Sequence, residues 1–349
     1  MCPHAGISKK RIPSPFVKGG LRKLNPFKGI LQLSCSLLKR PPPYFIMQGK
    51  ITINTLKLFF TALSLLFLAS GCVSSRYLQV PGMTEVQLPD LAGRMKTKRV
   101  IFIGEVHSES SHHQKQLQII QTLHRAGFPT AIGLEMLRAD SQKDIDKWLS
   151  GQMDDDAFLK VYYDNWQIEW PQYRAIFLYA KQNRIPLIGL NIPWSIIRQV
   201  VKGGVKSLKP EDSAGLADIT CNDADARYRQ LIKDAMGEHG KHGKKSGSKK
   251  YAFDNFCEAQ MVWDISMARR IAGYLKEHPD KNMVVLAGGA HSWRRGIPKQ
   301  LSRIAGTSLD AAYITVMPEL DDTITTDNVT AEDTDYIWTD PWGWLDIGD

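Results

Sequence analysis

Cysteine is scarce in this sequence, with five residues in 349. None falls in a Cys-x-x-Cys spacing, which excludes a metal site built on paired thiolates. Acidic side chains are missing altogether from residues 1–46, which hold nine Lys and Arg. Beyond residue 72 the imbalance disappears, with 34 basic against 36 acidic side chains. The formal charge of +9 therefore belongs to the leader. The near-neutral remainder offers no surface suited to a polyanion, so nucleic acid is excluded as a partner. Long apolar runs are missing too: the charge-free stretch at residues 58–71 has only fourteen residues, whereas a spanning helix needs about 20. Hydrophobic residues at 43% and charged residues at 23% exclude global disorder and allow a sizeable core.

The short apolar stretch fits a secretory signal preceded by Lys50 and Lys57. It ends in Ala69-Ser70-Gly71-Cys72, which resembles a bacterial lipobox with Ala in place of the usual leading Leu. The resemblance implies cleavage before Cys72 and lipidation of that residue. Residues 1–46 are Pro-rich, basic and unpatterned, and read as an extension upstream of a start at Met47. The expected organisation is then a signal at 47–71, a lipidated linker at 72–98, a domain at 99–318 and a solvated acidic tail at 319–349. A flexible basic loop is expected at 237–250. Export permits Cys221 and Cys257 to pair; they read equally well as two buried thiols. Val73 after the cysteine, rather than Asp, implies an envelope protein facing the periplasm from the outer membrane.

Five short apolar runs predict buried strands at Arg99–Ile103, Thr130–Leu134, Pro186–Leu190, Met283–Ala287 and Ala312–Val316. Helical patterns fall between them, most clearly at 111–126 and 255–277. Strands alternating with helices predict an α/β fold, a mainly parallel sheet flanked by helices with a helical insertion. In such sheets sites form outside the carboxyl ends of the strands.

One pattern occurs twice. Gly104-Glu105-Val106-His107 follows the first strand, and Gly288-Gly289-Ala290-His291 follows the fourth. In each, a strand ends, Gly permits a turn, and a His is presented at the carboxyl edge. If the strands are neighbours, the imidazoles converge. Glu135, directly after Ile132-Gly133-Leu134, would join Glu105 on the same rim. His ligates metals and moves protons near neutral pH, so His107, His291, Glu105 and Glu135 are candidate ligands of a divalent metal. Glu258 is either a fifth ligand or the N3 member of a capping box opened by Asn255.

At these residues the chain resembles the ChaN-like proteins, haem-binding lipoproteins of iron uptake within the Tiki/TraB superfamily. Gly133-Leu134-Glu135-Met136, Glu258-Ala259-Gln260, Gly296-Ile297-Pro298, Trp170-Pro171-x-Tyr173 and Asn191-x-Pro193 with Arg198 carry the resemblance beside the paired motifs. Trp194 departs from it, standing where a basic residue is expected. The resemblance implies haem as ligand, haem or iron transport components as partners and Arg198 as a cation for propionates; a homodimer is left open. The wider superfamily implies an alternative, a metal-dependent hydrolase in which Glu105 or Glu135 activates a water on a metal held by the two His. For haem, the aromatic segment 161–173 offers a wall and phenols, and tyrosinate favours ferric iron. Tyr173, then Tyr162, are the expected axial ligands, with His107 or His291 opposite or near a propionate.

Overall fold

In the computed structural model, residues 76–216, 219–242, 252–305, 312–320 and 324–339 are described. The expected upstream extension, signal and lipidated Cys72 lie outside them. All five expected strands form: β3 (Val100–Glu105), β4 (Thr130–Arg138), β5 (Leu187–Asn191), β6 (Asn282–Gly288) and β7 (Tyr313–Pro318). Three more, β1 (Arg76–Gln79), β2 (Thr84–Val86) and β8 (Tyr336–Thr339), complete an eight-stranded sheet in the order β2-β1-β8-β7-β3-β6-β4-β5. The run from β8 to β5 is parallel, and β1 pairs antiparallel with both β8 and β2. This is the expected α/β fold.

The central strands are apolar throughout because both faces are covered. Alternation divides their side chains between two cores. Ile101, Ile103, Val284 and Leu286 pack under the helices Ser110–Arg125, Asp155–Asn165 and Trp170–Gln182. Val100, Phe102, Met283 and Val285 pack under Trp194–Gly203, Phe253–Glu277 and Ile297–Ala305. The aromatic segment belongs to the first core: Trp148 stacks on Phe158 at 4.0 Å, and Tyr162 and Phe177 each pack 5.0 Å from Trp170.

Two expected boundaries are corrected. The linker assigned to 72–98 contains β1, β2 and the helix Leu88–Met95. The tail assigned to 319–349 contains β8, whose Tyr336, Ile337 and Trp338 are buried. The acids of that stretch meet cations from elsewhere: buried Asp333 lies 2.9 Å from Arg227 and 3.3 Å from Arg295. Asp335 pairs with Arg294. A charge run read in isolation hides such partners. The helix Ala226–His242 also extends into the expected basic loop, whose residues 243–250 lie outside those described.

Cys221 and Cys257 form a disulfide, which settles their open assignment. It bridges 36 positions and joins the turn just before the helix Ala226–His242 to the helix Phe253–Glu277. Reduction is expected to lower the unfolding free energy by about 2–4 kcal/mol, measured as a shift in denaturation midpoint with and without reductant.

Candidate functional site

Strands β3 and β6 are direct neighbours, with Glu105 opposite Gly288. The two Gly-x-x-His segments therefore lie side by side, and β4 on the far side of β6 adds Glu135. The motif glycines do not act through a special turn, since neither Gly104 nor Gly288 has positive φ. They act through close approach. A Cβ on Gly104 would come within 2.6 Å of the Met317 sulfur, and one on Gly288 within 2.8 Å of His107 Nε2.

Glu135 sits between the two imidazoles. Its Oε2 accepts the Gly288 backbone N–H at 2.7 Å, and its Oε1 lies 3.9 Å from His107 Nε2 and 3.7 Å from His291 Nε2. Each imidazole is anchored on its other side by a buried carboxylate. His107 Nδ1 lies 2.7 Å from Glu105 Oε1, and His291 Nδ1 lies 2.6 Å from Asp264 Oδ1. Because carboxylates only accept, each Nδ1 carries the proton, which leaves each Nε2 on the Glu135 side. Each carboxylate in turn accepts a buried phenol: Tyr173 donates to Glu105 and Tyr228 to Asp264. Two Tyr–carboxylate–His relays thus converge on one glutamate.

The relays differ in exposure. The His107 side chain is 23% exposed, that of His291 9%. The Trp166 ring packs edge-on to His107 at 4.9 Å, and Trp263 takes the same place beside His291 at 5.7 Å. Asn191, at the end of β5, donates to the Glu135 carbonyl at 2.9 Å and accepts from Trp263 Nε1 at 2.8 Å.

Burial opposes ionisation of Glu105, but hydrogen bonds and charge from His107 and His113 overcome it and hold the carboxyl far below the usual range. Burial also opposes the His107 imidazolium; Glu135 and then Glu105 outweigh it and raise the pKa, with His291 pulling the other way. Despite its burial, His291 is raised to about 9 by Glu135 and Asp264. Burial pushes Asp264 up even though His291 and Tyr228 favour its charge. The His291 contribution to stability is therefore full below the ordinary His value and is lost as pH rises through about 9. Asp264→Asn is expected to bring the His291 pKa down towards the ordinary value and to shrink that alkaline loss, measured by NMR titration and by denaturation midpoints between pH 6 and 10.

The two expected axial tyrosines both lie in the interior. Tyr173 is fully buried with its hydroxyl committed to Glu105, and burial followed by the Glu105 charge raises its pKa well above the ordinary phenol value. Tyr162 is equally buried, donates to the Ile168 carbonyl at 3.0 Å, and is also raised by burial. In this structure both phenols are held protonated on acceptors within the protein. Glu258 is corrected. The helix begins at Phe253, so Glu258 is not at N3, and its Oε2 accepts the Val205 N–H at 2.8 Å, away from the paired motifs. Among the described residues, no group of three or more His, Cys, Asp or Glu has an arrangement able to hold a metal ion. Of the expected ligand set, His107, His291, Glu105 and Glu135 come together at the rim, and Glu258 does not. Arg198 is exposed on the helix that follows β5. His112 and His113 are buried; His112 Nδ1 accepts the Val106 N–H at 3.0 Å.

Asp264 and Tyr228 were not singled out in the sequence. Asp264 left one signal, an acid at helical spacing from Met261 and Ala268 in the apolar stripe. Tyr228 left none.

A family model described as haem-binding uptake, Tiki superfamily, ChaN, matches residues 91–301, more than half of the chain and the whole of the relay cluster. The chain belongs to the ChaN family. No individual curated protein matches it. Among solved structures it is similar to ChaN of Campylobacter jejuni, a structure of cofacial haem binding, with 18% identity and a TM-score of 0.58 over 76% of this chain and 97% of that one. That likeness concerns the fold. Erythromycin esterase EreC, as a mutant in its open conformation, matches at 12% identity and a TM-score of 0.42 over 70% of this chain and 76% of that one. The type III effector HopBA1 matches at 11% and 0.43 over 76% and 96%. These two are too distant in shape to carry an argument.

Proposed function

We propose that this ChaN-family protein is a lipid-anchored, haem-binding protein of the cell envelope serving haem or iron uptake, and that it holds haem at the carboxyl rim of the sheet with His107 as iron ligand. The observation that carries the reading is the state of His107. Its Nδ1 is fixed on a buried carboxylate, it is the more exposed of the paired imidazoles, and its Nε2 lies so close to Gly288 that only a glycine leaves it room. An imidazole oriented and made more basic by a carboxylate is the usual form of a protein-bound metal ligand. Trp166 supports the fit: it packs against His107, and its buried indole N–H has no partner. Arg198 is the candidate cation for a propionate. Haem is the cargo here, and the protein's part is to orient His107, to wall the rim with indole and to hold the proton that iron must displace.

The anchor reading rests on Ala69-Ser70-Gly71-Cys72 after a short apolar stretch, with Val73 favouring the outer membrane facing the periplasm. Adding haem to residues 73–349 is expected to give a saturable Soret shift. Non-saturating absorption would remove the haem reading. Iron needs the unprotonated Nε2, and the His107 pKa is raised, so affinity is expected to fall as pH drops below that raised value. Titrations from pH 5.5 to 9 check this.

A further inference from the structure

The direction and register of β1 fix where the chain enters the fold. β1 runs antiparallel to β8, with Arg76 opposite Thr339 and Tyr77 opposite Trp338. Trp338 lies opposite Pro318 of β7, and β7 runs parallel to β3 with Val316 opposite Ile103. Carrying these registers across the sheet puts Tyr77 level with Glu105. Arg76, the first described residue, therefore lies at the carboxyl edge, just beyond the level at which Glu105 and Gly288 face each other. The opposite edge, where β3 and β6 begin, is remote by the length of a strand, about 20 Å.

Three residues, Val73, Ser74 and Ser75, separate Cys72 from Arg76. Even fully extended, the four steps from Cys72 to Arg76 reach only about 14 Å. The strand order places β1 three positions from β3 and four from β6. At about 4.8 Å per strand, the tether enters the rim roughly 14–19 Å to the side of the paired His motifs.

We propose that the carboxyl rim of the sheet, with His107, Glu135 and His291, faces the lipid surface, so that an apolar cargo enters and leaves from the membrane side. The inference rests on the reading of Cys72 as the lipid-bearing residue. A tether this short holds the rim beside the bilayer and turns the opposite edge towards the aqueous phase.

Energy transfer to the membrane tests the orientation. With Cys72 blocked by lipid and Cys221 bonded to Cys257, the mature chain leaves its thiol chemistry to an introduced cysteine. Ser108→Cys is exposed at the rim, and Asp280→Cys is exposed just before β6 at the opposite edge. The full chain is expressed with its own leader, purified in detergent, labelled with a donor dye without reductant and reconstituted into phosphatidylethanolamine–phosphatidylglycerol vesicles carrying a headgroup acceptor. Transfer from Ser108→Cys is expected to be at least twofold more efficient than from Asp280→Cys. Equal or reversed transfer in a chain that floats with the vesicles and carries lipid on Cys72 by mass would overturn the orientation alone. A mature chain that neither floats nor carries lipid on Cys72 would overturn the anchor reading and the orientation with it.

Discussion

His107→Ala is expected to weaken haem binding on the order of a hundredfold or more, because it removes the proposed iron ligand, whereas loss of an outer partner alone costs about 10–100-fold. The side chain is partly exposed and its carboxylate keeps other donors: Gln116 at 2.7 Å and the Tyr173 hydroxyl still reach Glu105. The fold should therefore survive, and circular dichroism and the denaturation midpoint check that it does. Tyr173→Phe is the informative contrast. It deletes only a hydroxyl that Glu105 already holds, so the haem spectrum should keep its shape while the protein loses about 1–3 kcal/mol of stability. A spectrum that changes in Tyr173→Phe and not in His107→Ala would restore the tyrosine as ligand.

Glu105→Ala is expected to be the most destabilising single change at the rim. The carboxylate is buried and accepts from His107, Tyr173 and Gln116, with His113 Nε2 at 3.5 Å. Its removal strands these buried donors, at a cost of about 3–5 kcal/mol. For a chain of this size that is a drop of about 5–9 °C in Tm. The native pKa is depressed, so the stabilisation from Glu105 is full above its ordinary value of 4.5 and is lost progressively as pH falls below it. Wild type should therefore lose stability steeply on acidification below pH 4.5, and Glu105→Ala should show a shallower slope there. Parallel slopes would mean that the carboxylate is not held ionised by its donors.

The parts of this architecture written in the sequence are those with a local signature. Val100–Ile103 and Val284–Ala287 are unbroken apolar runs because both faces of their strands are covered, and the His motifs follow them directly. Their adjacency was open to inference because parallel strands present their carboxyl ends on one edge. What the sequence concealed is non-local. β1, β2 and β8 are three or four residues long, too short for periodicity to register, and they exist because the sheet offers an edge. The phenol of Tyr173 looked available in Trp170-Pro171-x-Tyr173, yet Glu105, 68 positions away, holds it. Asp264 reads as an acid in a helix until His291 and Tyr228 are seen to close on it. Such partners are set by tertiary contact, and no spacing rule announces them.

The central claim is that haem binds at the carboxyl rim through His107. Crystals of residues 73–349 grown with haem, measured at the iron absorption edge, test it most directly. The account predicts an anomalous peak within coordination distance of His107 Nε2, with the porphyrin against Trp166. A peak beside a tyrosine oxygen, or at a site remote from β3 and β6, would contradict it.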